Sequence, residues 1–184
     1  MPQAVAHILI PMLAVSIFRD FFLNKKKRKN FPLHYALIAG LGGVLPDIDI
    51  IISIFLNLSG TYNWDIHKTF THSLFFPIIF LALFLITKPI NAKARLCNIG
   101  KHKLKLSTIF LMLFLGIFAH IFLDAFFGEM AYFLYPFSLT DYGINLFGYL
   151  PYSIQSLAPA VLDGILLVVW LLYLELKHKI SDFI

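Results

Sequence analysis

One stretch, Ser107–Phe127, decides the fold, and it reads STIFLMLFLGIFAHIFLDAFF. It is long enough to cross a bilayer as a helix, which takes roughly 20 apolar residues, and Asp124 is its one charged side chain. His120 and Asp124 are four residues apart, so a helix places them on the same face. The stretch therefore predicts a membrane-spanning helix with a polar pair that either binds one ion or forms a buried ion pair.

The rest of the chain has the composition of a membrane protein. Of its 184 residues, 59% are hydrophobic, 20 are Phe and only 14% are charged, and the mean hydropathy is +0.81. A soluble domain needs more polar surface than this. We therefore predict an all-α fold, a multi-pass transmembrane helical bundle that forms a single domain over residues 1–184. The five expected spans are Ala4–Leu23, Phe31 to about Asp49, Ser73–Thr87, Ser107 to about Phe127, and Pro159–Leu176.

The cations predict how this bundle sits in the membrane. Every Lys and Arg except Lys68 lies on one side of the five-span arrangement, which the positive-inside rule makes cytoplasmic. The amino terminus should then face out and the carboxyl terminus in. We expect the basic loops to contact anionic lipid headgroups, or a cytoplasmic protein partner, and we expect no nucleic acid. The inward cations are Arg19, Lys25–Lys29, those within Lys88–Lys105, Lys177 and Lys179.

Acidic and histidine side chains gather at the opposite, outer ends of the spans. At 1.5 Å per residue, these side chains lie about 20 to 26 Å above the cytoplasmic ends of their helices, within a hydrocarbon core of about 30 Å. Every span, or the loop joined to it, contributes at least one. The members of this layer are His7, Asp47, Asp49, His67, His72, His120, Asp124 and Asp163.

Imidazole and carboxylate together are the ligands of divalent ions, with Zn the first choice and Mn or Fe as alternatives. The layer holds more ligand groups than one site usually takes, so the sequence allows one, two or more ions. Binding to cations would also explain why carboxylates are tolerated in apolar runs, where a lone charge is costly. Asp163 has the right depth but no local motif, and we expect it to support a ligand rather than to be one.

The segment Leu41–Phe55, LGGVLPDIDIIISIF, carries two aspartates two residues apart. Pro46 should interrupt the helix, and extended backbone after it would point both carboxylates in the same direction. The alternative is that this pair caps a helix beginning near Ile50. The sequence leaves open whether residues Ile50–Leu58 continue the second span or lie along the interface.

Several motifs together resemble the YdjM-like family of inner-membrane proteins. These are His7, the pattern GxxxPDxD at Gly42–Asp49, HKTFTHS at His67–Ser73, HIFLD at His120–Asp124 and YPFS at Tyr135–Ser138. The family is described as metal-dependent hydrolases of the inner membrane and also as LexA-binding. It usually has Arg where this chain has Lys68, and a Thr followed by Gly where this chain has AFFGEM. The order of ligand residues is more distantly similar to the zinc-dependent phospholipase C and P1 nuclease group.

The expected function is therefore a membrane-bound metal-dependent hydrolase at the outer-leaflet boundary, cleaving a phosphoester of a lipid or amphiphile. Lys68, the one outward cation, would hold the phosphate, and Asp49 would be either a ligand or the base that orients water. The expected metal ligands are His7, Asp47, His67, His72, His120 and Asp124.

Two other functions fit the same residues. A transporter also carries acids and histidines within the membrane, although the polar layer lies off the midplane and the chain has no internal repeat. A non-catalytic scaffold or regulator could use the metal only to brace its helices, while the basic loops bind a cytoplasmic partner.

Overall fold

In a computed structural model of the protein, the described residues are 4–59, 69–90, 93–94, 104–128 and 132–179. They are mainly helical, with one short antiparallel pairing of β1 (Lys93–Ala94) and β2 (Leu104–Lys105). The helices are α1 (Ala4–Ile17), α2 (Lys25–Lys29), α3 (His34–Gly42), α4 (Ile48–Leu58), α5 (Phe75–Thr87), α6 (Leu106–Phe127), α7 (Tyr152–Gln155) and α8 (Ala158–His178). A π-helical turn, Phe18–Phe22, extends α1, and 3₁₀ turns lie at Leu45–Asp47, Phe70–His72 and Leu146–Tyr149.

Three of these helical segments are long and apolar enough to cross a membrane: Ala4–Phe22, Leu106–Phe127 and Ala158–His178. A fourth span results if the bent pair His34–Gly42 and Leu45–Leu58, at 44° to each other, counts as one. Helix α5 is apolar but shorter. The predicted all-α membrane bundle is thus confirmed, whereas the five-span count and the orientation stay predictions.

Helix α6 lies at the centre of the bundle and packs against α5, α3 and α1. Two glycines let α6 and α3 approach closely, since a Cβ on Gly116 would lie 2.1 Å from the backbone oxygen of Ala39. A Cβ on Gly42 would lie 2.7 Å from the Leu113 oxygen. This close contact fixes the position of α6 along its own axis relative to the break that follows α3.

The break between α3 and α4 differs from the prediction in its backbone. Pro46 does begin a new element, but Asp47 has φ −71° and ψ −1° and Ile48 is also helical. The expectation of extended backbone here is therefore wrong, because the chain passes through a 3₁₀ turn directly into α4. Nor does the Asp47 side chain cap α4. A Cβ on Gly43 would lie 2.0 Å from the His7 oxygen, so this break packs directly on α1.

Helix α8 packs mainly on α1 and is joined to it by polar contacts near both ends. At one end the Ala6 amide donates to Asp163 Oδ1 at 2.9 Å. At the other end, Tyr173 donates to Asp20 Oδ2 at 2.5 Å and His178 Nε2 lies 3.1 Å from the same oxygen. Most of the remaining α8 surface is apolar and exposed, which suits contact with lipid.

Candidate metal centre

Five ligand-type side chains from separate parts of the chain meet at one end of the bundle. They form two overlapping groups, His7 with His120 and Asp124, and Asp47 with His72 and His120. In each group the atoms that could bind a metal all lie within 4.8 Å of one another. His7 comes from α1, Asp47 and His72 come from 3₁₀ turns, and α6 supplies the other two.

The distances show how closely these atoms converge. The Nε2 atoms of His72 and His120 are 3.1 Å apart, and each lies 3.5 Å from Asp47 Oδ1. Asp124 Oδ2 is 3.3 Å from His120 Nε2 and 3.6 Å from His72 Nε2. The other oxygen of Asp124, Oδ1, faces His7 Nε2 at 3.2 Å. Asp124 Oδ1 thus faces His7, and Asp124 Oδ2 faces both His120 and His72.

Neighbouring groups hold the two histidines with their Nε2 atoms turned inward. His120 Nδ1 lies 2.7 Å from the Gly43 carbonyl oxygen, which can only accept, so Nδ1 carries a proton and Nε2 is the nitrogen that can offer a lone pair to a metal. His72 Nδ1 faces Asp49 Oδ2 at 3.4 Å and the Thr71 hydroxyl at 3.1 Å. A hydrogen bond on the far nitrogen is the usual way in which proteins orient a histidine that binds a metal.

The centre contains buried polar atoms that no other described residue satisfies. Both ring nitrogens of His7 and both carboxylate oxygens of Asp124 are without hydrogen-bond partners among the described residues. The 3.2 Å approach of His7 Nε2 to Asp124 Oδ1 lacks hydrogen-bond geometry. Unsatisfied buried groups are costly. A divalent cation fits the nitrogen and oxygen donors and would satisfy them.

The electrostatics of the centre favour positive charge. His72 lies in the turn before α5, outside the long apolar helices. Burial by itself would lower the pKa of His72, but the carboxylates of Asp47, Asp49 and Asp124 outweigh burial and raise this pKa to about 9. A proton on His72 therefore competes with a metal ion for the same site.

Exposure distinguishes one member of the centre from the rest. The side chains of His72 and His120 are fully buried and that of Asp124 is 3% exposed, whereas the Asp47 side chain is 23% exposed. Molecules outside the protein can therefore reach the centre at Asp47.

The structure separates the predicted site residues into three sets. It brings His7, Asp47, His72, His120 and Asp124 together. It places Asp49 beside Nδ1 of His72, on the side of the ring opposite Nε2, and it places Asp163 on α8, where its carboxylate accepts from the Ala6 amide next to His7. His67 and Lys68 lie outside the described residues.

Sequence reasoning missed two supporting groups. The Thr71 hydroxyl donates to Asp49 Oδ2 at 2.5 Å, so it holds the carboxylate that contacts His72. The Gly43 carbonyl is the other. Thr71 could have been found from the sequence, because it is a hydroxyl residue directly before a predicted ligand histidine. The carbonyl had no signal, because backbone acceptors are not encoded by residue type.

The chain matches a known protein family over nearly its whole length. The family model of the YdjM inner membrane protein covers residues 1–179. The chain belongs to the YdjM inner membrane protein family. Membership of the YdjM family agrees with the apolar helices and makes the chain a multi-pass protein of the inner membrane. No curated protein and no solved structure matched, and the more distant likeness to the P1 nuclease group is not supported.

Proposed function

We propose that the protein is a metal-dependent hydrolase that cleaves a phosphoester of a lipid or other amphiphile at the outer-leaflet boundary. The observation that supports this most is the convergence of three histidines and two aspartates with unsatisfied buried atoms. Stable folds rarely keep such atoms without a ligand.

The proposed ligands are the five convergent side chains, His7, Asp47, His72, His120 and Asp124. Zinc is the preferred ion because imidazole supplies three of the five, and Mn or Fe also accept this donor set. Since Asp124 Oδ1 faces His7 while Asp124 Oδ2 faces His120 and His72, these residues could hold one ion or two. A divalent ion bound here supplies Lewis-acid activation of water and of a phosphoryl group.

For Asp49 the contacts favour a role that the sequence did not suggest. Its carboxylate accepts from Thr71 and faces Nδ1 of His72. We therefore propose that Asp49 keeps the Nδ1 proton in place and Nε2 directed to the metal, rather than acting as ligand or base. Asp163 holds the amino end of α1 through the Ala6 amide and so positions His7.

The choice of an amphiphilic substrate rests on the surroundings of the centre. Asp47 lies at the exposed side, and the residues next to it on α4 include Ile48, 48% exposed, and Ile51, 67% exposed. A charged headgroup can reach Asp47 while its apolar part stays in hydrocarbon. Lys68 remains the proposed phosphate contact on sequence grounds alone.

The test is to purify the protein in detergent, count bound metal by mass spectrometry, and measure phosphate or headgroup release from phospholipid in mixed micelles. We expect metal and turnover in the wild type, and loss of both in Asp124→Asn. Asp20→Asn is the matched control, because it changes an equally buried carboxylate at the far end of the bundle. Full metal content in an Asp47→Ala, His120→Ala double variant would refute the ligand assignment.

A metal-braced scaffold is the second candidate, because the same five residues join α1, α6 and the turns that precede α4 and α5. It predicts bound metal without turnover, and capture of a cytoplasmic partner that is lost when Lys25–Lys29 are replaced. Transport predicts ion uptake by proteoliposomes without turnover.

A further inference from the structure

An open groove of about 240 Å³ lies beside the candidate metal centre. All its lining comes from the bent segment that joins α3 to α4, and one member, Asp47, is also a proposed ligand. The lining residues are Leu41, Val44, Leu45, Asp47, Ile48 and Ile51.

Asp47 connects the groove to the centre. Its Oδ1 lies 3.5 Å from the Nε2 atoms of both His72 and His120, and its side chain is 23% exposed. A molecule in the groove thus has its polar end next to the proposed metal ligands.

The rest of the groove is apolar and faces outward. Leu41 is 66% exposed, Ile48 48% and Ile51 67%. An open groove of about 240 Å³ suits a length of one hydrocarbon chain rather than a whole phospholipid.

A second, larger cavity of about 480 Å³ lies between α1 and α6. Its walls are apolar and include Ile10, Pro11, Leu111 and Leu115, with none of the five proposed ligands among them. A chain bound there would not place its headgroup against Asp47, so the smaller groove is the better candidate.

We propose that the groove binds the hydrocarbon chain of an anionic amphiphile whose phosphate meets the metal centre at Asp47. This inference rests on the proposed function and adds an entry route to it. The substrate would enter the centre laterally from the lipid bilayer. The recognised class is a single alkyl or acyl chain with a phosphate at its end.

The probe is a hexadecyl phosphate with a photoreactive diazirine in its chain, added to zinc-loaded wild-type protein in nanodiscs. After illumination, mass spectrometry locates the label. We expect label within residues 41–51, with excess hexadecyl phosphate reducing it at least tenfold and hexadecanol reducing it little. Label mainly in α1 and α6, or equal competition by hexadecanol, would overturn the proposal.

Variants make the test specific. Ile51→Trp fills the groove and should reduce labelling at least fivefold, as should Leu41→Trp from its other wall. Ile52→Trp is the matched control, because it lies on the same helix, is 47% exposed and does not line the groove. Unchanged labelling in both groove variants, with wild-type metal content, would overturn the proposal. Headgroup release from a phosphodiester substrate, measured on the same samples, reports separately on hydrolysis, so labelling without turnover would reject the enzyme and retain the groove.

Discussion

Replacing Asp49 with Asn is expected to weaken metal binding without changing the number of ions bound. In the structure, Asp49 Oδ2 lies 3.4 Å from Nδ1 of His72, whose Nε2 faces the centre. The amide keeps the size of the side chain but removes the charge that holds the Nδ1 proton. His72 would then lose its fixed orientation, while all five proposed ligands remain.

The size of the effect follows from the kind of contact. Loss of a group that orients a metal-binding histidine typically costs about 10- to 100-fold in metal affinity, equal to about 1.4 to 2.8 kcal/mol of binding free energy. Thr71→Val removes only the hydroxyl that holds Asp49 at 2.5 Å. We expect a smaller loss from it, about three- to tenfold, because the carboxylate itself stays.

The assay is a zinc titration against a fluorescent chelator in detergent, combined with a metal count at saturation. Ser53→Ala is the matched control, because Ser53 is a buried residue one turn further along α4 from Asp49. It should bind zinc as the wild type does. If Asp49→Asn instead lowers the saturating metal count as Asp47→Asn does, Asp49 is a ligand. An unchanged affinity would also refute the orienting role.

Four further outcomes are expected. Gly116→Ala should lower the thermal unfolding temperature in detergent, at a cost of about 1–3 kcal/mol, because its Cβ would overlap a backbone oxygen of α3. Gly164→Ala, with nothing within 4 Å of the added Cβ, should not lower that temperature. Asp163→Ala should cost about 1–3 kcal/mol of stability and weaken zinc binding, because the buried Ala6 amide loses its acceptor beside a ligand. Zinc affinity should rise about tenfold per pH unit and level off near pH 9, because the protonated His72 must lose its proton to bind metal; a titration flat between pH 6 and 8 would contradict this.

Much of the architecture could be predicted from local sequence. Five apolar segments have helices in or near the predicted positions, since length and apolar character are local properties. Counting residues along helices also predicted that His7, Asp47, His72, His120 and Asp124 lie in one layer, and the structure brings these five together. Whether α5 and the bent pair each cross the membrane cannot be read from length alone, because α5 is shorter than the other apolar helices and the pair bends by 44°.

Other parts of the centre depend on approach between distant segments. The contact of the Gly43 carbonyl with His120 joins residues 77 apart, and that of Asp163 with the Ala6 amide joins residues 157 apart. No spacing rule connects such pairs. They result from how closely α1, α3, α6 and α8 pack.

The two aspartates of the LPDID segment (Leu45–Asp49) show most clearly which features the sequence determined and which depended on the tertiary structure. The sequence alone determined that two carboxylates lie two residues apart within an apolar segment, where they need a partner. It did not determine that the chain there passes through a 3₁₀ turn into a helix, so the same-side arrangement of an extended strand is not what brings the two carboxylates to one partner. Only the tertiary structure places the His72 ring between them, with Nε2 toward Asp47 and Nδ1 toward Asp49. Asp47 therefore faces the candidate metal centre, whereas Asp49 faces the opposite nitrogen of the proposed ligand His72.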